Sequence, residues 1–183
     1  MNVLAIGAHP DDIEIACSGT LAKCVKRGDT VIVCHVSSGN LGHVVITHNP
    51  DDYMPDHTAV SRLVFDAAFT ATLPNYTDYE HVYSDPNGAP ARVVPIYYMD
   101  TLAGVNFVPT EFVDISEEID LKIQMLECHA SQLVWMRDHD GIDFADMVKT
   151  CSRYRGYQCG ADYAEGFRQC QAYLKGTTKR LLP

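Results

Sequence analysis

Three features of this 183-residue sequence predict a single α/β domain with a mostly parallel sheet flanked by helices. The chain opens on an apolar run, Val3 to Ile6, ended by Gly7 and stopped by Pro10, which reads as a strand buried on both faces. Short β-branched runs then recur between stretches of helical periodicity, the pattern of alternating strands and helices. Finally, imidazoles and carboxylates crowd just past two strand ends, in His9-Pro10-Asp11-Asp12 and in Asp51-Asp52-Tyr53-Met54-Pro55-Asp56-His57. In open α/β sheets, ligands bind outside the carboxyl ends of the strands.

After the first strand, Ser18 can cap a helix over 20–27, with Leu21, Ala22 and Val25 on one face and Gly28 as its stop. Residues 29–36 form the second strand, Thr-Val-Ile-Val-Cys-His-Val being β-branched and apolar. The loop 37–42 lies at the same edge as His9; it is either a plain Gly/Asn turn or a pocket wall offering Asn40 to a substrate hydroxyl. Val44 to Thr47 is the third strand. Only some seven residues separate it from Val36, enough for a hairpin and too few for a helical crossover. A hairpin would carry His48 and His57 to the wrong edge, roughly 15–20 Å from His9. A segment is therefore expected to be missing near Gly42, His43 or Val44.

The helix expected over 58–71 presents Val60, Leu63, Val64 and Ala67 at helical spacing. Residues 74–90 read as a long surface loop whose tyrosines either pack on the core or stack on a sugar ring. Residues 92–99 form a fourth strand, with Pro95 marking an edge or a bulge, and 112–115 a short fifth. Ser116 then caps a helix running to about Gln132, with Ile119, Ile123 and Leu126 as its core stripe. The aspartates 138, 140, 143 and 146 lack the order of a calcium loop and read as a solvated helix start. Arg153 and Arg155 are placed to bind an anion or cover the pocket. A closing helix is expected over 163–174, and the basic end to Pro183 is expected to dock on a neighbour.

The formal charge of −10 argues against nucleic acid or an anionic membrane as partner. No run is long and apolar enough to span a bilayer, and the start lacks the basic n-region of a signal peptide. Seven cysteines occur without any Cys-x-x-Cys, so reduced thiols in a cytoplasmic protein are expected. No Gly-x-Gly-x-x-Gly follows the first strand, so a dinucleotide is not implied.

Two imidazoles and a carboxylate with open positions make a common catalytic zinc set. Adjacent Asp11 and Asp12 cannot point the same way, so one can hold a metal while the other acts as a base. Taken alone, His9-Pro10-Asp11-Asp12 is equally well read as a turn with an acidic helix start. The longer pattern is more specific. Ala8-His9-Pro10-Asp11-Asp12-Ile13-Glu14, followed by Gly19-Thr20-Leu21-Ala22, resembles the first signature of the LmbE/PIG-L family of zinc-dependent de-N-acetylases, and Pro55-Asp56-His57 is similar to its second. Cys128-His129-Ala130-Ser131-Gln132 and Tyr163-Ala164-Glu165-Gly166-Phe167-Arg168 resemble its weaker C-terminal landmarks.

The resemblance implies a Rossmann-like fold and metal-dependent removal of an N-acetyl or other N-acyl group from an amino sugar or glycoconjugate by a metal-activated water. It implies zinc, with iron(II) as the alternative, held by His9, Asp12 and His57, and Asp11 as general base. Asp56 would orient His57 or another imidazole. Met54 departs from the family pattern, standing where a histidine that stabilises the oxyanion or acts as acid is expected. A thioether donates no hydrogen bond, so that role passes to the metal, helped by His48 or His129 at the substrate. For His48 the alternative is a surface position at a strand end, and for His129 an imidazole that only meets a helix dipole. Two rival readings are an amidase for non-sugar N-acyl substrates and a non-catalytic sugar- or metal-binding homologue. Homo-oligomerisation stays open.

Overall fold

The computed structural model describes residues 1–35, 43–73, 93–173 and 175–183. The expectations for Asn40, its loop and the tyrosines of 74–90 fall outside these residues. The strands are β1 (Asn2–Gly7), β2 (Thr30–His35), β3 (Val44–Thr47), β4 (Ile96–Met99), β5 (Glu111–Asp114) and β6 (Ala164–Gln169). The helices are α1 (Asp12–Ala16), α2 (Ser18–Lys26), α3 (Pro55–Thr70), α4 (Ile119–Glu127), α5 (Ala130–Trp135) and α6 (Phe144–Cys159). A 3₁₀ turn covers Leu102–Gly104, and a π-helical turn covers Met136–Asp140. No described helix is long and apolar enough to cross a membrane.

The sheet is mixed, in the order β2-β1-β3-β4-β6-β5. The first four strands are parallel, and β6 runs antiparallel to both β4 and β5. Alternation along the strands divides the core. Val44, Ile46, Tyr97 and Met99 face one layer with Val3, Ala5, Ile13, Leu21, Ile115 and Phe167. Val45, Ile96 and Tyr98 face the other, with Val60, Val64 and Ala68 of α3.

No hairpin joins β2 to β3: β3 lies parallel to β1, with Val3 opposite Val44. The eight residues between His35 and Val44 can reach at most about 30 Å, more than the roughly 20 Å of a six-residue strand. A return across β1 is therefore within the chain's reach without a helix. The ends of β1, β3 and β4 consequently share one edge, which delivers His9, His48 and Asp100 together.

Several local expectations change. The segment expected as a closing helix over 163–174 instead supplies β6, in the sheet interior. Its spaced Ala164, Phe167 and Cys170 suit a helix, but both flanking strands offer unpaired backbone, and the segment is buried. Gly166 admits the close approach of Pro109, since a Cβ there would lie 2.9 Å from the proline ring. The helix expected to run to Gln132 breaks at Cys128-His129 into α4 and α5. Leu63 of α3 is 62% exposed, and Ser61 and Ala68 share the buried face in place of Leu63 and Ala67. The C-terminal stretch packs on its own sheet. Leu182 joins the core, and the Arg180 guanidinium donates to the carbonyl of Phe112.

Candidate metal centre

The site begins with the sharp turn after β1. Gly7 eases the turn: a Cβ would sit a tight 3.1 Å from the Cβ of Asp12 and 3.3 Å from the carbonyl oxygen of His9. The turn folds the His9 backbone N–H onto Asp12 Oδ2 at 2.6 Å, at the start of α1. From the second strand end, Pro55 opens α3, where its missing N–H costs nothing. That places His57 in the first turn of the helix, buried and facing Asp12.

The side chains converge. His57 Nε2 lies 3.3 Å from Asp12 Oδ1, and His9 Nδ1 lies 3.6 Å from Asp12 Oδ2. One ligating atom each from His9, Asp12 and His57 falls within 4.8 Å of the others, a group able to hold a metal ion. His48, Asp52 and His57 form a second such group. The His57 Nδ1 lies 2.9 Å from Asp52 Oδ2, and Asp52 also accepts from the backbone N–H of Met54. An Nδ1–H directed at Asp52 leaves the Nε2 lone pair aimed at Asp12 and His9, the tautomer a metal ligand needs. Despite its proximity to Asp12, the buried Nε2 has no hydrogen-bond partner. A buried polar atom without a partner is costly unless something satisfies it, and a cation between these three side chains would do so. The residues present therefore fit a divalent metal.

Electrostatics point the same way. Burial works to raise the pKa of Asp12, but His48, the adjacent His57 imidazole and the His9 backbone N–H outweigh it and hold the carboxyl far below its usual range. Burial also disfavours a charged His57, yet its contacts with Asp12 and Asp52 push the imidazole up to about 9. The carboxylates have thus prepared the site for positive charge.

The remaining predicted residues are distributed unevenly. Asp11 is buried and lines the adjoining cavity, and its carboxylate makes no hydrogen bond or ion pair with a described residue. Asp56 is half exposed; it lies 2.8 Å from His9 Nε2 and meets His57 only through the latter's backbone N–H. His48 is 2% exposed, stacked on His57 with ring centroids 3.9 Å apart. Its Nε2 lies 3.1 Å from Asp12 Oδ2 and 3.0 Å from the backbone N–H of Ala8. His129 stands apart, 3.5 Å from Glu14, and does not line the cavity. Asp52 and Trp135 were given no role by sequence reasoning. Asp52 had a usable signal, lying five residues before His57 in the same strand-end segment.

The cavity has a volume of about 220 Å³. Its polar end is the cluster just described, and Met54, Met99, Leu102, Met136 and Phe144 give it apolar walls.

Comparison with known proteins follows this geometry. The PIG-L family model, described as GlcNAc-PI de-N-acetylase, matches residues 4–44. A diacetylchitobiose deacetylase of Thermococcus kodakarensis is 30% identical over 123 residues, covering 65% of this chain and 40% of the relative. The chain spans no more than two-fifths of the length of the curated relatives first matched. The structure of N,N'-diacetylchitobiose deacetylase from Pyrococcus horikoshii superposes with a TM-score of 0.70 at 19% identity, covering 92% of this chain and 83% of that one. GalB, the 4-carboxy-2-hydroxymuconate hydratase of Pseudomonas putida, superposes with a TM-score of 0.71 at 16% identity, covering 97% and 99%. The resemblance to the LmbE/PIG-L family is thus shown in sequence at the N-terminus. The α/β fold with its mixed six-stranded sheet is shared with deacetylases and with a hydratase alike.

Proposed function

We propose that this chain, with its LmbE/PIG-L resemblance as premise, is a metal-dependent hydrolase that removes an N-acetyl group from an amino sugar or glycoconjugate. Fold alone does not select the reaction, since a hydratase shares it. The observation that carries the reading is the His57 Nε2 facing Asp12 and His9 beside the Asp11 carboxylate, neither with a hydrogen-bond partner among the described residues, all on one cavity. His9, Asp12 and His57 would hold the ion, zinc or iron(II). When bound, the ion supplies Lewis acidity, making water more acidic and polarising the amide carbonyl.

The chain's own residues do the rest. Asp11, lining the cavity, takes a proton from the attacking water and returns it to the departing amine. Asp52 fixes the His57 tautomer, and Asp56 holds His9 from the solvent side. His48 braces Asp12 and His57 from behind. Met54 lines the cavity without donating a hydrogen bond. That departure favours a second reading, a sugar- or metal-binding homologue without turnover. We also read residues 1–183 as one domain from which a segment near 42–44 is missing. The free cysteines support a reducing, cytoplasmic setting.

Metal analysis coupled to an acetate-release screen over N-acetylated amino sugars and simple amides tests these readings. The expected result is one divalent ion per chain, lost in His57→Ala, with acetate released from amino sugars. Metal without any acyl-amide hydrolysis would favour the second reading, and release from simple amides alone would make the chain a general amidase.

A further inference from the structure

Trp135 is the only tryptophan in the chain, and it is not used to build the core: it is 51% exposed, at the wall of the cavity that holds the metal group. Leaving so large an apolar ring in water forgoes one of the larger burial gains open to a side chain. The ring is nevertheless held in place. Its face stacks on His139 with centroids 4.8 Å apart and planes 11° from parallel, and His139 Nδ1 lies 2.7 Å from Asp140 Oδ1. This brace belongs to the π-helical turn Met136–Asp140, ended by Gly141 in the left-handed region. Such turns are rare and are found disproportionately at functional sites.

One helical turn before Trp135, Gln132 lines the same cavity. It is exposed, which leaves its side-chain amide open to a ligand. The wall thus offers a rigid aromatic surface with an exposed amide beside it. A pyranose presents the matching chemistry. Its axial C–H hydrogens, weakly positive, suit the negative face of an indole, and its hydroxyls suit an amide that both donates and accepts. An acyclic amide offers no ring face to the indole.

We propose that Trp135 and Gln132 form the subsite that receives the pyranose ring of the substrate, with Trp135 as the specificity-determining residue. The inference rests on the amino-sugar reading above and extends it to named residues.

The single tryptophan makes binding observable without turnover. Zinc-loaded Asp11→Asn protein, titrated with N-acetylglucosamine, N,N'-diacetylchitobiose and the acyclic N-acetylethanolamine, should show a saturable change in tryptophan emission with the two sugars only. Gln132→Ala in that background should weaken sugar binding about tenfold. In the active protein, Trp135→Ala should raise KM for the sugars at least tenfold while kcat stays within twofold. Trp135→Phe should lie between, and it keeps the test valid if the alanine variant does not fold. Acetate release from the sugars by wild type, with no emission change and an unaltered KM in the Trp135 variants, would overturn the subsite and leave the hydrolase reading intact. Emission changes with both sugars, but no acetate released by wild type, would leave the subsite standing and remove the hydrolase reading.

Discussion

Among the described residues, two buried clusters of charge differ in how completely each is paired. Lys122 and Glu165 lie almost wholly inside, 2.5 Å apart, and Glu165 also accepts from the backbone N–H groups of Gly19 and Thr20 at the start of α2. Beside them, Arg155 forks onto both oxygens of Asp100 and reaches Gln158 and the carbonyl of Phe107. Each of these four side chains has a partner of opposite charge. At the candidate metal centre, by contrast, neither His57 Nε2 nor the Asp11 carboxylate has a hydrogen bond among the described residues. A saturated buried network serves the fold. Where native groups stay unsatisfied, something else must complete them.

Substitutions should separate the two clusters. The largest expected effect is at Asp11: Asp11→Asn should lower turnover about 10²–10⁴-fold, the range for a lost general base, with metal content and melting temperature unchanged. Retained turnover would remove Asp11 from that role. Glu165→Ala should do the reverse. By stranding Lys122 it should cost about 3–5 kcal/mol in urea unfolding, while the folded fraction still binds metal. If instead it lost metal and kept its stability, the division between clusters would fail.

A smaller effect is expected at Asp52, where Asp52→Asn should weaken metal binding about 10–100-fold, as losses behind a ligand do. The mildest test is pH. The His57 imidazole is pushed up to about 9 in the metal-free protein, chiefly by Asp12 and Asp52 acting against burial. A metal must displace that proton, so apparent affinity should rise roughly tenfold per pH unit from 7 and level off near 9. In the metal-free protein the sign for stability is opposite. With its pKa raised above 6.5, His57 contributes stability that is full below 6.5 and is lost as pH rises through 9. Flat metal affinity between pH 7 and 9 would show that the proton is not held at this site.

The site residues were legible wherever chemistry and chain order coincide. His9, Asp11 and Asp12 follow β1 directly, and His57 follows a proline that opens a helix, so strand end and side chain are read from adjacent residues. The parallel direction of β3 was legible only indirectly, from the need for His57 to meet His9, because the short span before it leaves no room for a helical crossover. Partners far apart in the chain were silent too. Lys122 and Glu165 meet across 43 residues, and Glu165 reaches the start of α2 across 146.

What the sequence determined by itself was the alternation of strands and helices and the placing of acid and imidazole at strand ends, since those depend on nearest neighbours. The tertiary structure alone decided that residues 164–169 pair as a strand, because the unpaired edges of β4 and β5 outweigh a helical spacing of apolar residues. It likewise decided that the ring of Trp135 stays at the cavity wall, braced by His139, instead of entering the core. Both outcomes turn on which surfaces meet, and that is set only when the sheet closes.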